Sequence, residues 1–179
     1  MALSEITIYS TRIENIAFDE FSTRLEKLFP QLKVLSDAEP DAIYARWFVS
    51  LLAPESDDET MHDLQTLILE ITNDAKLANA SAKILLAELK QAEEDEDTAK
   101  IMNALRNAQQ SFYLNYDVGE NKALKKLIIA LSGVLLKLGE GVLYCADNEE
   151  YFNLDNFENF IERYFPAVKS EILNFMNSL

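Results

Sequence analysis

Asp117 and Asp147 are the side chains that the sequence best places for chemistry. Each follows an apolar, strand-like run, and Glu120, Glu149 and Glu150 stand close by. Clustered carboxylates bind Mg²⁺ or Ca²⁺, or divide into an acid and a base when their pKa values are driven apart. A helix joins the two runs, and such a crossover sets its strands parallel and right-handed. Both aspartates then fall at the carboxyl edge, where open α/β sheets hold ligands. Acids also gather in loops and at helix N-termini without forming any site, because the helix dipole favours them there. Asp117 and Asp147 are the metal candidates of this chain, and no cofactor is expected.

Other chemistries are less well supplied. One Cys and one His exclude a disulfide framework and an ordinary zinc site within a single chain. Cys145 and His62 make a nucleophile–base dyad only if the fold joins them, and Cys145 sits in an apolar strand where an inert thiol is usual. No Gly-x-Ser-x-Gly elbow is present. The turn Asp117-Val118-Gly119-Glu120-Asn121-Lys122 has one glycine where a phosphate loop needs several, and its acids would repel a phosphate.

The remaining candidates are surfaces for a partner. The run Glu93-Glu94-Asp95-Glu96-Asp97 repels itself and reads first as a solvated helix connection, with Asp97 as a cap for the next helix. Glu149, Glu150, Tyr151 and Phe152 precede a helix, and the two aromatics are expected at the surface. The aromatics further on, Phe157, Phe160, Tyr164 and Phe165, have helical spacing that favours a core, and Arg163 is the one base beside them. Glu93 to Asp97 and Glu149 to Phe152 are therefore the partner-binding candidates. Lys122, Lys125, Lys126 and Lys137 form a basic helix face that reads as solubilising.

The elements that must position these residues follow from periodicity. Ile6 to Tyr9 alternates as a strand, Phe18, Phe21, Leu25 and Leu28 mark a helix ended by Pro30, and Leu32 to Leu35 is a second strand. Ile43, Ala45, Trp47, Val49 and Leu51 share one face of a third strand, and Tyr44, Arg46, Phe48 and Ser50 on the other suggest cover on both sides. Three helical stripes follow: Met61, Leu64, Ile68 and Ile71; Leu85, Leu86 and Leu89; Ile101, Ala104, Leu105 and Ala108.

Phe112 to Val118 alternates as a strand, and the helix from Asn121 ends where Gly139 fits a left-handed position. Val142 to Cys145 is the strand after it. Asp155-Asn156-Phe157-Glu158 has the spacing of a capping box, and Pro166 separates two last helices, the second carrying Val168, Ile172, Met176 and Leu179. The expected fold is α+β, one globular domain over 1–179, with a mixed and roughly five-stranded sheet. Its order is β-α-β-β, then helices, then a β-α-β crossover and two C-terminal helices.

Charge limits function further. The 179 residues carry 31 acids against 16 Lys and Arg, a net of −15. Nucleic acid and anionic membranes call for a basic surface, so neither is expected as a partner. The N-terminus lacks the basic and apolar regions of a secretory signal, and Leu127 to Leu138 is too short to span a bilayer. A soluble, cytoplasmic protein is expected.

Small acidic bacterial proteins that neutralise basic toxins are similar in composition, though no motif ties this chain to them. The sequence thus favours a non-catalytic acidic module, of immunity or inhibitor type, that binds a protein with a basic surface. The alternative is a small enzyme or divalent-metal domain using the carboxylates at the sheet edge.

Overall fold

The computed structural model describes residues 5–29, 32–37, 39, 42–51, 66–89, 95–117 and 121–169. The strands are β1 (Glu5–Ser10), β2 (Leu32–Ser36), β3 (Tyr44–Leu51), β4 (Thr66–Thr72), β5 (Gln110–Asn115), β6 (Val142–Cys145) and β7 (Glu150–Phe152). The helices are α1 (Phe18–Leu28), α2 (Ala75–Leu89), α3 (Glu96–Arg106), α4 (Lys122–Gly139) and α5 (Phe157–Tyr164). Among the described residues the strands form one seven-stranded sheet in the order β2-β3-β4-β5-β1-β6-β7.

The class is α+β as expected, with seven strands where about five were expected. The sheet is antiparallel rather than mixed, because each described pairing is antiparallel. The β5–α4–β6 crossover still leaves its two strands pointing the same way. Both pair antiparallel with β1, which lies between them.

Ile68 and Ile71 belong to a strand, not to a helical stripe: Leu67, Leu69 and Ile71 alternate into the core while Ile68 points out. Met61 and Leu64 lie outside the described residues, as do His62, Glu93, Glu94 and Glu120. The strand β7 is only three residues long, too short for periodicity to reveal.

The strand pleat sends alternate side chains to opposite layers. On one face Ile6, Ile8, Phe112, Leu114, Leu143 and Trp47 pack with α1, α4 and α5. Trp47 stacks on Phe21 with ring centres 4.8 Å apart and meets Phe112 at 5.6 Å. On the other face Tyr9 and Val142 pack with Leu85, Leu86, Ile101 and Leu105 of α2 and α3. The Tyr9 hydroxyl reaches Ser81 Oγ at 2.6 Å.

Helix α4 is buried almost all round from Leu127 to Leu136, because β1 lies under it and α1 beside it. Its lysine face shrinks to exposed Lys122 and Lys137, with Lys125 and Lys126 half-buried. Asn121 caps it, accepting from the Leu124 N–H at 3.0 Å. Asn121→Ala is expected to cost about 1 kcal/mol, read as a lower denaturation midpoint at unchanged slope.

The ends of the other helices depart from expectation. Glu140, not Gly139, takes the left-handed conformation after α4, with φ 49°. Gly139 is needed for close packing instead, since a Cβ there would lie 2.8 Å from the Ser10 side chain. Asp95 rather than Asp97 caps α3, accepting from the Thr98 N–H at 2.7 Å. Asp155 does not cap α5. Asn156 precedes that helix, and its Oδ1 turns back to accept from the Asn153 N–H at 2.7 Å. The second C-terminal helix falls largely outside the described residues, where only the turn Pro166–Val168 is seen.

Candidate functional site

One end of the sheet gathers the carboxyl ends of β5 and β6 and the start of β1. Glu5 pairs with Asn115, and Ile6 with Cys145. Asp117 lies two residues past β5, and Asp147 sits in the short turn Ala146–Asn148 after β6. The expected common edge is therefore real, but β1 separates the two strands by about 10 Å, twice the strand spacing. Among the described residues no three His, Cys, Asp or Glu side chains converge on a metal-sized site.

Between these aspartates lies a cluster assembled from Tyr116, Cys145, Asn148, Glu150, Arg163 and Tyr164. Tyr164 donates its hydroxyl hydrogen to Glu150 and accepts from Asn148 Nδ2 at 2.9 Å. The Arg163 guanidinium holds the other Glu150 oxygen at 2.6 Å. Glu150, a partner-binding candidate, is thus engaged within the chain and ties α5 to β7. Tyr116 is 6% exposed, and its buried hydroxyl has no hydrogen-bond partner among the described residues.

This environment suppresses nucleophilic chemistry. Burial pushes the Cys145 thiol up, the charges of Glu150 and Asp147 add to the shift, and the contact with Tyr164 offsets it only in part. A thiol held in its neutral form is a poor nucleophile. Burial likewise raises the Tyr116 hydroxyl, with Cys145, Asp147 and Tyr164 contributing after it. Tyr116 and Tyr164 were legible only as strand and helix residues, and no spacing signal links them to Cys145.

The acid run and the aromatic pair divide their roles. Glu96 pairs with Lys100 at 3.3 Å, and Lys100 also reaches Asp155 at 3.8 Å. Asp95, Glu96 and Asp97 are all exposed at the start of α3. Glu149 takes a left-handed conformation, φ 54°, at the entry to β7. Tyr151 is half-buried with its ring 5.0 Å from Tyr144. Phe152 was expected at the surface but is buried against Phe160 at 5.4 Å, because the pleat of β7 turns it to the core.

An unanticipated surface lies on the outer face of β2, β3 and β4. The expectation of cover on both sides of β3 holds only toward its end: Tyr44 is 66% exposed and Arg46 is exposed beside it, while Phe48 is half-buried and Ser50 is buried. Leu35, Phe48 and Ile68 are direct cross-strand partners and form one apolar row. Leu35 is 47% and Ile68 42% exposed, with Phe48 half-buried between them.

The next row along the strands is polar: Arg46, Glu70 and Tyr113 face one another across β3, β4 and β5. Asp37 holds Arg46 twice, accepting from its backbone N–H and its Nε, each at 2.9 Å. Glu5 is diagonal to Tyr113, and Asn115 Nδ2 donates to Glu5 Oε1 at 3.3 Å. Burial raises the Tyr113 hydroxyl, and the neighbouring Glu5 and Glu70 add to it.

An α+β sheet with helices on both faces and an apolar strip left open on one of them is the class of molecule these features define. No family model matches the chain, and no curated protein or solved structure does. No described helix is long and apolar enough to cross a membrane.

Proposed function

We propose that the protein is a non-catalytic, acidic binding module, of immunity or inhibitor type, that recognises a protein with a basic surface. The observation that supports this best is the partly exposed Leu35–Phe48–Ile68 row in a chain of net charge −15. Contiguous apolar surface rimmed by polar groups is characteristic of interaction sites. An excess of one charge steers an oppositely charged partner and repels unsuitable ones. The raised Cys145 thiol also fits binding better than nucleophilic catalysis. A cytoplasmic setting goes with this reading, since the one cysteine is free and buried.

The test is purification of the tagged protein from its native cells at low and at high salt. A basic protein partner, retained at low salt and released at high salt, is the expected result. A partner of acidic or neutral surface, held regardless of salt, would overturn the proposal.

One observation favours a second reading, a small enzyme or divalent-metal domain. Asp117 and Asp147 share one sheet end with the Tyr116 hydroxyl, which has no hydrogen-bond partner among the described residues. That reading requires Mg²⁺, Mn²⁺ or Ca²⁺ to raise the melting temperature, and Asp117→Asn with Asp147→Asn to abolish the rise. Under the binding reading the melting temperature is unmoved by these ions.

A further inference from the structure

We infer that the partner docks across the outer face of β2, β3 and β4, setting apolar side chains on the Leu35–Phe48–Ile68 row and a lysine or arginine on Tyr113 between Glu5 and Glu70. This rests on the proposed function and adds a footprint and a partner chemistry to it.

The register builds two adjacent tracks. Leu35, Phe48 and Ile68 stand on neighbouring strands, one about every 4.8 Å across the sheet. Arg46, Glu70 and Tyr113 form the parallel track two residues along, about 7 Å away. A segment lying across the strands therefore meets an apolar track on one side and a polar one on the other.

The polar track suits a cation. Tyr113 is half-buried and offers a ring, and Glu70 is its direct neighbour while Glu5 lies on the diagonal. A ring beside two carboxylates combines a cation–π contact with charge-assisted hydrogen bonds. Among the described residues the face and its rim hold the acids Glu5, Asp37, Glu39 and Glu70 against Lys33 and Arg46. Arg46 is already occupied by Asp37, so the charge left to a partner is negative. The same arithmetic disfavours a second copy as the occupant, since two chains of −15 repel each other and would bring like faces together.

The test uses the ¹⁵N-labelled full chain and a synthetic peptide of alternating leucine and lysine, titrated at low salt. A leucine–glutamate peptide of the same length is the control. The lysine peptide is expected to shift amides in 33–37, 44–50, 66–72 and 111–115, and the glutamate peptide to shift none. Ile68→Asp, at an exposed position, is expected to weaken binding by about tenfold or more. Glu70→Gln should weaken it several-fold and flatten its salt dependence.

Shifts confined to another surface would overturn the docking face and leave the binding reading standing. Equal binding of both peptides would overturn the role given to Glu5 and Glu70. A concentration-dependent dimer that Ile68→Asp disrupts would assign the face to a second copy. If the lysine peptide binds nowhere on the molecule, the proposed function loses its electrostatic basis along with the footprint.

Discussion

Gly141→Ala is expected to cost more than about 3 kcal/mol and to leave little folded protein at ordinary temperature. An added Cβ would lie 1.7 Å from the Tyr9 carbonyl oxygen and 2.8 Å from its carbon. These are backbone atoms, so no rotamer change relieves the contact. Tyr9 cannot retreat, because it is paired with Ser111 of β5 on one side and Val142 of β6 on the other. Accommodation would have to separate β6 from β1, and β7 with α5 depends on β6.

Gly139→Ala makes the informative comparison. There the Cβ meets the Ser10 side chain at 2.8 Å, and Ser10 is itself fully buried. Overpacking of that kind costs about 1–3 kcal/mol. Urea denaturation of both variants should place Gly139→Ala between wild type and Gly141→Ala. A Gly141→Ala protein within 1 kcal/mol of wild type, by the measure of roughly ±0.5 kcal/mol for neutral surface changes, would mean that the β1–β6 approach is looser than this.

How much of this was legible depended on whether the deciding contact was local. The β5–α4–β6 unit is legible because an apolar run at helical spacing lies between two alternating runs. Its strand direction then followed from the crossover rule, which is why the common edge of Asp117 and Asp147 could be anticipated. That β1 would slip between the two strands could not, since nothing in the unit itself encodes a third strand's position.

The region of Ile68 shows the opposite case. Met61, Leu64, Ile68 and Ile71 fit a helical period, while Leu67, Leu69 and Ile71 fit a strand period. Pairing with both β3 and β5 decides between them, and pairing is a tertiary fact. The open face was hidden for a related reason. Tyr44 and Phe48 make the second face of β3 look apolar in sequence, which signals burial on both sides. The cluster of Tyr116, Cys145 and Tyr164 draws on the residue after β5, on β6 and on α5, distant in the chain, and only their meeting at one sheet end reveals it.

Tyr116→Phe is expected to raise stability by about 1 kcal/mol at neutral pH, because it removes a buried hydroxyl that lacks a partner among the described residues. The larger effect appears in alkali. Tyr116 and Cys145 both have pKa values raised in the folded state above the ordinary 10.0 and 9.0. At pH above those values the unfolded chain has lost protons that the folded chain keeps, so stability falls as pH rises. The stability is fully present below pH 9.0, erodes first through Cys145, and erodes faster once pH passes 10.0 and Tyr116 joins.

Each group contributes about 1.4 kcal/mol per pH unit in that range, so the pair gives roughly 2.7 kcal/mol per unit above the second threshold. Equilibrium unfolding at a series of pH values from 7 to 11 measures this. Tyr116→Phe should roughly halve the slope contributed by the pair above pH 10, leaving the earlier onset due to Cys145 in place. Cys145→Ala should move the onset upward instead, at some cost in packing at all pH values. If Tyr116→Phe destabilises at neutral pH, the Tyr116 hydroxyl is hydrogen-bonded in solution. The sheet end between Asp117 and Asp147 would then be a satisfied polar core rather than one with an acceptor or donor to spare, and the second functional reading would lose its only supporting observation.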